Sequence, residues 1–207
     1  MNVLIIGGNG YLGAAIAQAC ARAGAAVRIL SRTAPVDGLG EWVPGDVQLP
    51  RLGLRGDRLD AVRTETTHVV SCFGTVDWTC GPDEALQVHA VGTRSVLTVL
   101  GELPSLQQAL HVSSLLVLGR ARGTVGNREL FVGQRFRNWY EYGKYTAEAL
   151  VRESDLPIGV VRFGPILGPD PRGGRPDVRH GLPAVIPHLL AGHPVHLRHR
   201  GDFPCWV

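Results

Sequence analysis

Three side chains in the second half of the chain have the types and the spacing for proton transfer. Tyr140 and Lys144 stand four apart in a run, Asn138 to Leu150, that reads as a helix, so they share a face. An ammonium about 4 to 5 Å from a phenol, at an effective dielectric of about 20, favours the phenolate by roughly 3 to 4 kcal/mol. That brings a phenol that titrates near 10 down by about 2 to 3, making it a usable acid near neutral pH. Tyr142 and Tyr145 lack that spacing to Lys144. Lys144 is the only lysine in the chain, every other long basic side chain being arginine, and a compact point charge is the better tool for such a task. The competing reading is an aromatic core cluster with a chance lysine. Ser113 and Ser114, in the apolar run Val112 to Gly119 read as a strand, add hydroxyls that would lie beside a nicotinamide; serines in strands are common, and the residues alone do not choose between them.

The amino terminus reads as a nucleotide-binding site. Val3-Leu4-Ile5-Ile6 reads as a buried strand, Gly7-Gly8-Asn9-Gly10-Tyr11-Leu12-Gly13 as a tight turn, and Ala14 to Ala23 as a helix. Gly7 lets the chain turn, Gly10 lets a diphosphate approach the backbone, and Gly13 brings the helix close to the strand. Tyr11 and Leu12, in the turn, are expected at the cofactor with the glycines, and the unpaired N–H groups of the helix start carry partial positive charge. A second strand, Ala26 to Leu30, ends in Ser31-Arg32-Thr33, with no carboxylate before Asp37. An arginine there forks onto a ribose 2′-phosphate that a carboxylate would repel, which favours NADP and leaves NAD as the alternative. Arg32 as a plain solvated loop residue is the competing reading.

The remaining elements must bring these two ends together. Trp42 to Val47 reads as a third strand ending at Asp46, an acceptor for an adenine amino group or a cap for the next turn. Arg55 to Thr64 reads as a short surface helix, and His68 to Gly74 as a fourth strand whose end, Phe73-Gly74, faces the cofactor. Glu84 to Leu100 carries Leu86, Val88, Val91, Val96, Leu97 and Leu100 at helical spacing and reads as a buried helix. His111 is expected as a core or strand-edge histidine, and Leu156 to Pro165 as a sixth strand whose Phe163 is expected at the cofactor. A loop, Gly168 to Gly181, and a short helix, Leu182 to Ala191, follow.

Composition bounds the class. At 207 residues and 44% hydrophobic content the chain is long enough for one large core. No apolar run reaches the roughly 20 residues of a membrane helix, so a cytoplasmic protein without a membrane partner is expected. A net charge of +3 is too small to argue for nucleic acid. The four cysteines form no ligand or disulfide pattern. His188, His193, His196 and His199 lack carboxylate or cysteine company at ligand spacing, so no metal site is expected.

Taken in chain order, several motifs resemble the extended branch of the short-chain dehydrogenase/reductase superfamily. They are Gly7-x-x-Gly10-x-x-Gly13, Gly45-Asp46-Val47, Val112-Ser113-Ser114, Tyr140-x-x-x-Lys144 and Arg162 to Gly168-Pro169. Val76-Asp77-Trp78, Val91-Gly92-Thr93-Arg94 and Gly133-Gln134-x-Phe136-x-Asn138-x-Tyr140-Glu141 look most like thioester reductases and fatty acyl-CoA reductases. The resemblance implies an α/β fold, a doubly wound parallel Rossmann-like sheet over residues 1–170, with the start of a substrate-binding lid at 171–207. It implies a catalytic Ser114, Tyr140 and Lys144, with Lys144 also holding the cofactor ribose.

By the same resemblance the chain is an NAD(P)-dependent oxidoreductase acting on a small-molecule carbonyl, an acyl thioester or a secondary metabolite, and a homodimer is an allowed assembly. The alternatives are a nucleotide-sugar epimerase or dehydratase with bound NAD, and a non-catalytic NADP-binding protein or truncated remnant. Three departures are visible. His89 stands where the family carries asparagine, bulky Phe73 stands where a small residue is expected beside the cofactor, and Phe203-Pro204-Cys205-Trp206-Val207 looks like the start of a longer segment.

Overall fold

The computed structural model describes residues 1–36, 38–166, 168, 170, 172 and 190–192. Its strands are β1 (Asn2–Ile6), β2 (Ala26–Ser31), β3 (Glu41–Pro44), β4 (His68–Ser71), β5 (Gln108–Ser114) and β6 (Ile158–Phe163). They form one sheet in the order β3-β2-β1-β4-β5-β6, and every adjacent pair is parallel. The helices are α1 (Tyr11–Arg22), α2 (Gly56–Glu65), α3 (Pro82–Leu86), α4 (Gly92–Gly101) and α5 (Trp139–Arg152). Strand order reverses at β1, which lies between β2 and β4, so the carboxyl ends of these strands open a crevice there.

Burial on both faces explains why β1 was legible as an unbroken apolar run. Leu4 and Ile6 pack with Leu30, Val43, Val69, Val96 and Leu100 on one face. Val3 and Ile5 pack with Ala14 and Ala17 of α1 on the other. The alanines of α1 let that helix lie close, and Gly24, at φ +79°, ends it as the sequence suggests.

Several boundaries depart from expectation. β3 stops at Pro44, so Asp46 lies beyond it, and β4 stops at Ser71, leaving Cys72 to Gly74 as a loop. β5 begins at Gln108, which places His111 inside it, and ends at Ser114, whose Oγ accepts from the Leu116 N–H at 3.1 Å and starts a 3-10 turn, Leu115–Leu118. The expected long helix runs unbroken from Pro82 to Gly101 but contains one π turn, Gln87–Val91. The extra residue in that turn rotates the buried stripe. His89 is therefore 1% exposed, whereas Val91, expected in the core, is 41% exposed.

No helix among the described residues is long and apolar enough to cross a membrane, and they hold no group of three or more His, Cys, Asp or Glu placed for a metal ion. The four carboxyl-terminal histidines, the chain's last five residues and most of the helix expected over Leu182 to Ala191 lie outside the described residues.

Candidate functional site

The glycine turn between β1 and α1 is built from close contacts. Gly7 adopts φ +87°, and a Cβ there would stand 2.8 Å from the Phe73 backbone. A Cβ on Gly13 would meet the Gly7 carbonyl at 2.4 Å and Cys72 Sγ at 3.0 Å, so α1 lies hard against the turn. Gly10 caps α1 without a side-chain acceptor. The first-turn N–H groups of Tyr11, Leu12 and Gly13 thus keep their partial positive charge for an anion.

This turn opens onto a cleft of about 1000 Å³ whose walls include Gly7, Gly10, Ser31, Arg32, Asp46, Val47, Phe73 and Gly74. Five other expected cofactor residues are not among its wall residues. The Tyr11 hydroxyl donates to the Gly168 carbonyl at 2.9 Å, and Leu12 is half-buried on α1. Gly13 is buried, Phe163 ends β6 opposite Ser114, and Lys144 lies in the packing under α5.

At the far end of the cleft, Ser31 Oγ donates to the Thr33 carbonyl at 2.7 Å. Asn9 Nδ2 donates to Thr33 Oγ1 at 3.0 Å and also reaches the Thr33 and Ala34 carbonyls. These bonds tie the loop after β2 to the glycine turn and leave Arg32 exposed along the cleft. Asn9 was missed from sequence, although asparagine between glycines is itself a turn-forming residue that bonds nearby backbone. Asp46 Oδ1 accepts from the Gln48 N–H at 2.9 Å, so it caps the turn after β3.

Phe73 does not obstruct the crevice as its bulk suggested. Its backbone faces Gly7, and its ring packs toward Val47 and α4, where a Cβ on Gly92 would come within 2.9 Å of the ring. The absence of a side chain at Gly92 accommodates the aromatic ring.

The proton-transfer candidates converge where β5 meets α5. Asn138 Oδ1 accepts from the Glu141 N–H at 2.9 Å and starts α5 just ahead of Tyr140. Lys144 is 6% exposed, and its Nζ donates to the Val112 carbonyl at 2.8 Å. Burial pulls its pKa down to about 8, against the pull of Cys72 and Glu148. The two serines diverge. Ser113 Oγ donates to Glu148 Oε2 at 2.6 Å, within a buried cluster that includes Arg152 and Arg162. Ser114 instead accepts from the Leu116 N–H and lies near enough to the Tyr140 side chain to pull its pKa down.

One electrostatic expectation is corrected. Burial raises the Tyr140 pKa, and Ser114 only partly opposes it; Glu141 and Cys80 add to the rise. The depression expected from the four-residue spacing to Lys144 is thus not what governs the phenol; desolvation is the larger effect on both groups.

Two further groups enter the site, His89, already marked as a departure from the family pattern, and Cys72. The His89 ring meets Tyr140 edge to face, with centroids 5.7 Å apart and planes at 81°. Burial first, and Lys144 second, push its pKa down to about 3, so it is neutral. Cys72 Sγ donates to the Ile6 carbonyl at 3.3 Å, and burial pushes its thiol up to about 12, the mark of an unreactive packing residue.

The glycine turn and the exposed Arg32 lie along the cleft, and Ser114, Tyr140 and Lys144, none of them among its wall residues, lie where β5 meets α5. Comparisons with known proteins agree with this fold. Its first relatives include the terminal R domain of the myxalamid PKS-NRPS biosynthetic pathway, at 22% identity and TM-score 0.70, covering 79% of this chain and 48% of that one. The Bordetella bronchiseptica enzyme WbmG in complex with NAD matches at 20% identity and TM-score 0.72, covering 94% and 61%. UDP-glucuronic acid 4-epimerase from Bacillus cereus, in complex with NAD, matches at 19% identity and TM-score 0.71, covering 94% and 65%.

At these identities the likeness is one of fold, and the chain spans between about half and two thirds of the length of those proteins. No curated protein matches it by sequence. The family model described as male sterility protein, an NAD-binding family, matches residues 14–193. The chain therefore belongs to the male sterility protein family.

Proposed function

We propose that this chain is the cofactor-binding part of an NADP-dependent oxidoreductase that reduces a carbonyl or an acyl thioester. The observation that carries the proposal is the gathering of Ser114, Tyr140 and Lys144 around the ends of β5 and α5, beside a cleft that holds Arg32. The residues present fit a dinucleotide. The left-handed Gly7 and the uncapped start of α1 suit a diphosphate, and the Asn9-braced loop presents Arg32 to a 2′-phosphate. The bound cofactor supplies hydride. Tyr140 gives its proton to the developing oxyanion, and Ser114 donates a hydrogen bond that holds the same oxygen. Lys144, whose Nζ keeps the Val112 carbonyl, has two further donors with which it would hold ribose hydroxyls.

A thioester substrate is favoured by the family and by the R-domain relative of a PKS-NRPS pathway. Epimerase-like chemistry with retained NAD is the second reading, favoured by relatives such as the NAD complex of the Bacillus cereus epimerase. Titration of the purified chain with NADPH and NADH, read by fluorescence, separates the two. Preferred, exchangeable NADPH supports reduction, whereas NAD that copurifies and resists dialysis supports the epimerase reading. Binding of neither removes the cofactor role.

A further inference from the structure

Arg172 has no part in the reading above, yet it touches the turn on which the nucleotide site is built. The Gly10 N–H donates to the Gly7 carbonyl at 3.0 Å, closing a turn with Gly8 and Asn9 at its centre. From there the Asn9 side chain reaches the loop after β2, where its Nδ2 donates to Thr33 Oγ1 at 3.0 Å and lies 3.4 and 3.3 Å from the Thr33 and Ala34 carbonyls. The Asn9 carbonyl accepts from Arg172 Nη1 at 3.1 Å, a contact that spans 163 positions of chain.

Arg172 is itself held in place. Its backbone N–H and its Nε donate to Asp170 Oδ1 at 2.9 and 2.8 Å, and its Nη2 donates to Asp170 Oδ2 at 2.5 Å. Asp170 is buried, so this fork fixes the guanidinium and offsets its charge. What Arg172 contributes at Asn9 is therefore position rather than field. A second tie runs beside it, from the Tyr11 hydroxyl to the Gly168 carbonyl at 2.9 Å, so residues beyond β6 grip the turn on both sides of Gly10. At the other end of the relay, Ser31 Oγ donates to the Thr33 carbonyl at 2.7 Å, which leaves the exposed Arg32 between two anchored neighbours. Asn9, Ser31, Arg32 and Thr33 all line the cleft.

We propose that Arg172 and Asn9 form a brace that sets the preference for a nucleotide carrying a ribose 2′-phosphate. Arg172 fixes Asn9, Asn9 fixes Thr33, and the fixed corner holds Arg32 where the phosphate binds. Both are positioning residues, and through them residues beyond β6 take part in choosing the cofactor. The proposal rests on the functional reading above for the identity of the ligand. An arginine on an unbraced loop must be ordered as the ligand binds, and the freedom lost then weakens the affinity. A nucleotide without the phosphate does not use Arg32 and is insensitive to the brace.

The test is a double-mutant cycle on the dissociation constants of NADPH and NADH, read by fluorescence. Asn9→Ala is expected to weaken NADPH by about fivefold or more and NADH by less than about twofold, the loss of one or two hydrogen bonds that only the phosphate-bearing ligand feels. Arg172→Leu is expected to move the ratio the same way by about threefold. In an Arg32→Ala background neither substitution changes the ratio further, because the brace acts only through that guanidinium. A merely structural role would weaken both nucleotides alike in either background. Thr33→Val removes the hydroxyl that Asn9 meets, at similar volume, and carries the test if Asn9→Ala fails to fold.

Trypsin cleavage of the Arg32–Thr33 bond, followed by mass spectrometry, reads the brace without any nucleotide. Both Asn9→Ala and Arg172→Leu are expected to speed it by about threefold or more, since a protease needs the loop to open locally. A wild-type preference for NADPH that both variants keep overturns the proposal and leaves the functional reading standing. So does a change of ratio that persists in full in the Arg32→Ala background. A wild-type chain with no preference for NADPH overturns the functional reading instead, and the cleavage rates then decide the brace by themselves: faster in both variants keeps it, and unchanged in both removes it.

Discussion

Replacing Lys144 by methionine should remove a pH dependence of stability that the buried ammonium imposes. Lys144 titrates at 10.5 in an unfolded chain and at about 8 in the fold, because burial disfavours its charge. The unfolded chain therefore binds more protons between these values, and stability rises with pH across that window. The full difference corresponds to about 3 kcal/mol at roughly 1.4 kcal/mol per pH unit. Most of it falls above pH 9, where the folded lysine is already neutral. Between about pH 7 and about pH 9 the wild-type protein should gain roughly 1 kcal/mol, and above that range unfolded cysteine begins to ionise and reverses the trend. Cys72, pushed up to about 12 by burial, is the thiol expected to do this.

Lys144→Met removes the Lys144 contribution at every pH. Its stability at neutral pH balances the relieved burial of charge against a Val112 carbonyl left without its donor, the latter worth about 1 to 3 kcal/mol. That balance is close, so the slope is the informative quantity. Urea unfolding of both proteins, followed by circular dichroism across the window, gives the stability difference between them at each pH. A difference that narrows or reverses in favour of wild type as pH rises agrees with a buried, charged Lys144. A difference independent of pH refutes it, and with it the assignment of this lysine to the packed interior of α5.

The remaining expectations concern the cofactor, the reaction and the acid range. Arg32→Ala should weaken NADPH binding by about tenfold or more and leave NADH nearly unchanged, since only the former carries the phosphate that the guanidinium meets; an unchanged ratio of the two dissociation constants removes the specificity claim. Tyr140→Phe should cut turnover by at least about a hundredfold with cofactor affinity close to wild type, and equal activity would sink the mechanism. His89 and His111 sit at about 3 in the fold against 6.5 when unfolded, chiefly through burial. The unfolded chain takes up their protons first, so stability is lost as pH falls from 6.5 toward 3, and calorimetry at about pH 5 should record uptake of about two protons on unfolding from this pair. No uptake would mean the two rings are accessible in the folded chain.

Local chemistry was enough to read much of this protein from its residues. The unbroken apolar run of β1, the glycines behind it and the alanines of α1 specify a buried parallel strand, a tight turn and a close-packed helix within some twenty residues, without reference to the rest of the chain. The four-residue spacing of Tyr140 and Lys144 is a property of one helix, and the absence of an acid after β2 is visible by inspection. Each of these is set by neighbours along the chain.

Three matters waited on residues far apart in sequence. Phe73 looked obstructive until Gly92 proved to make room for its ring. The serines of β5 could not be told apart until Glu148, 35 residues beyond Ser113, engaged that hydroxyl and Ser114 met Tyr140. The sign of the Tyr140 shift was misjudged because a spacing rule gives the distance between two charges but says nothing of how deeply both are buried. His89 shows the limit most clearly: helical periodicity assigned the core to Val91, and a single π turn gave it to a histidine wedged between two glycines on other elements. Sequence determined which residue types lie together along each element; burial, which decides how those residues titrate and pair, is a property of the assembled packing alone.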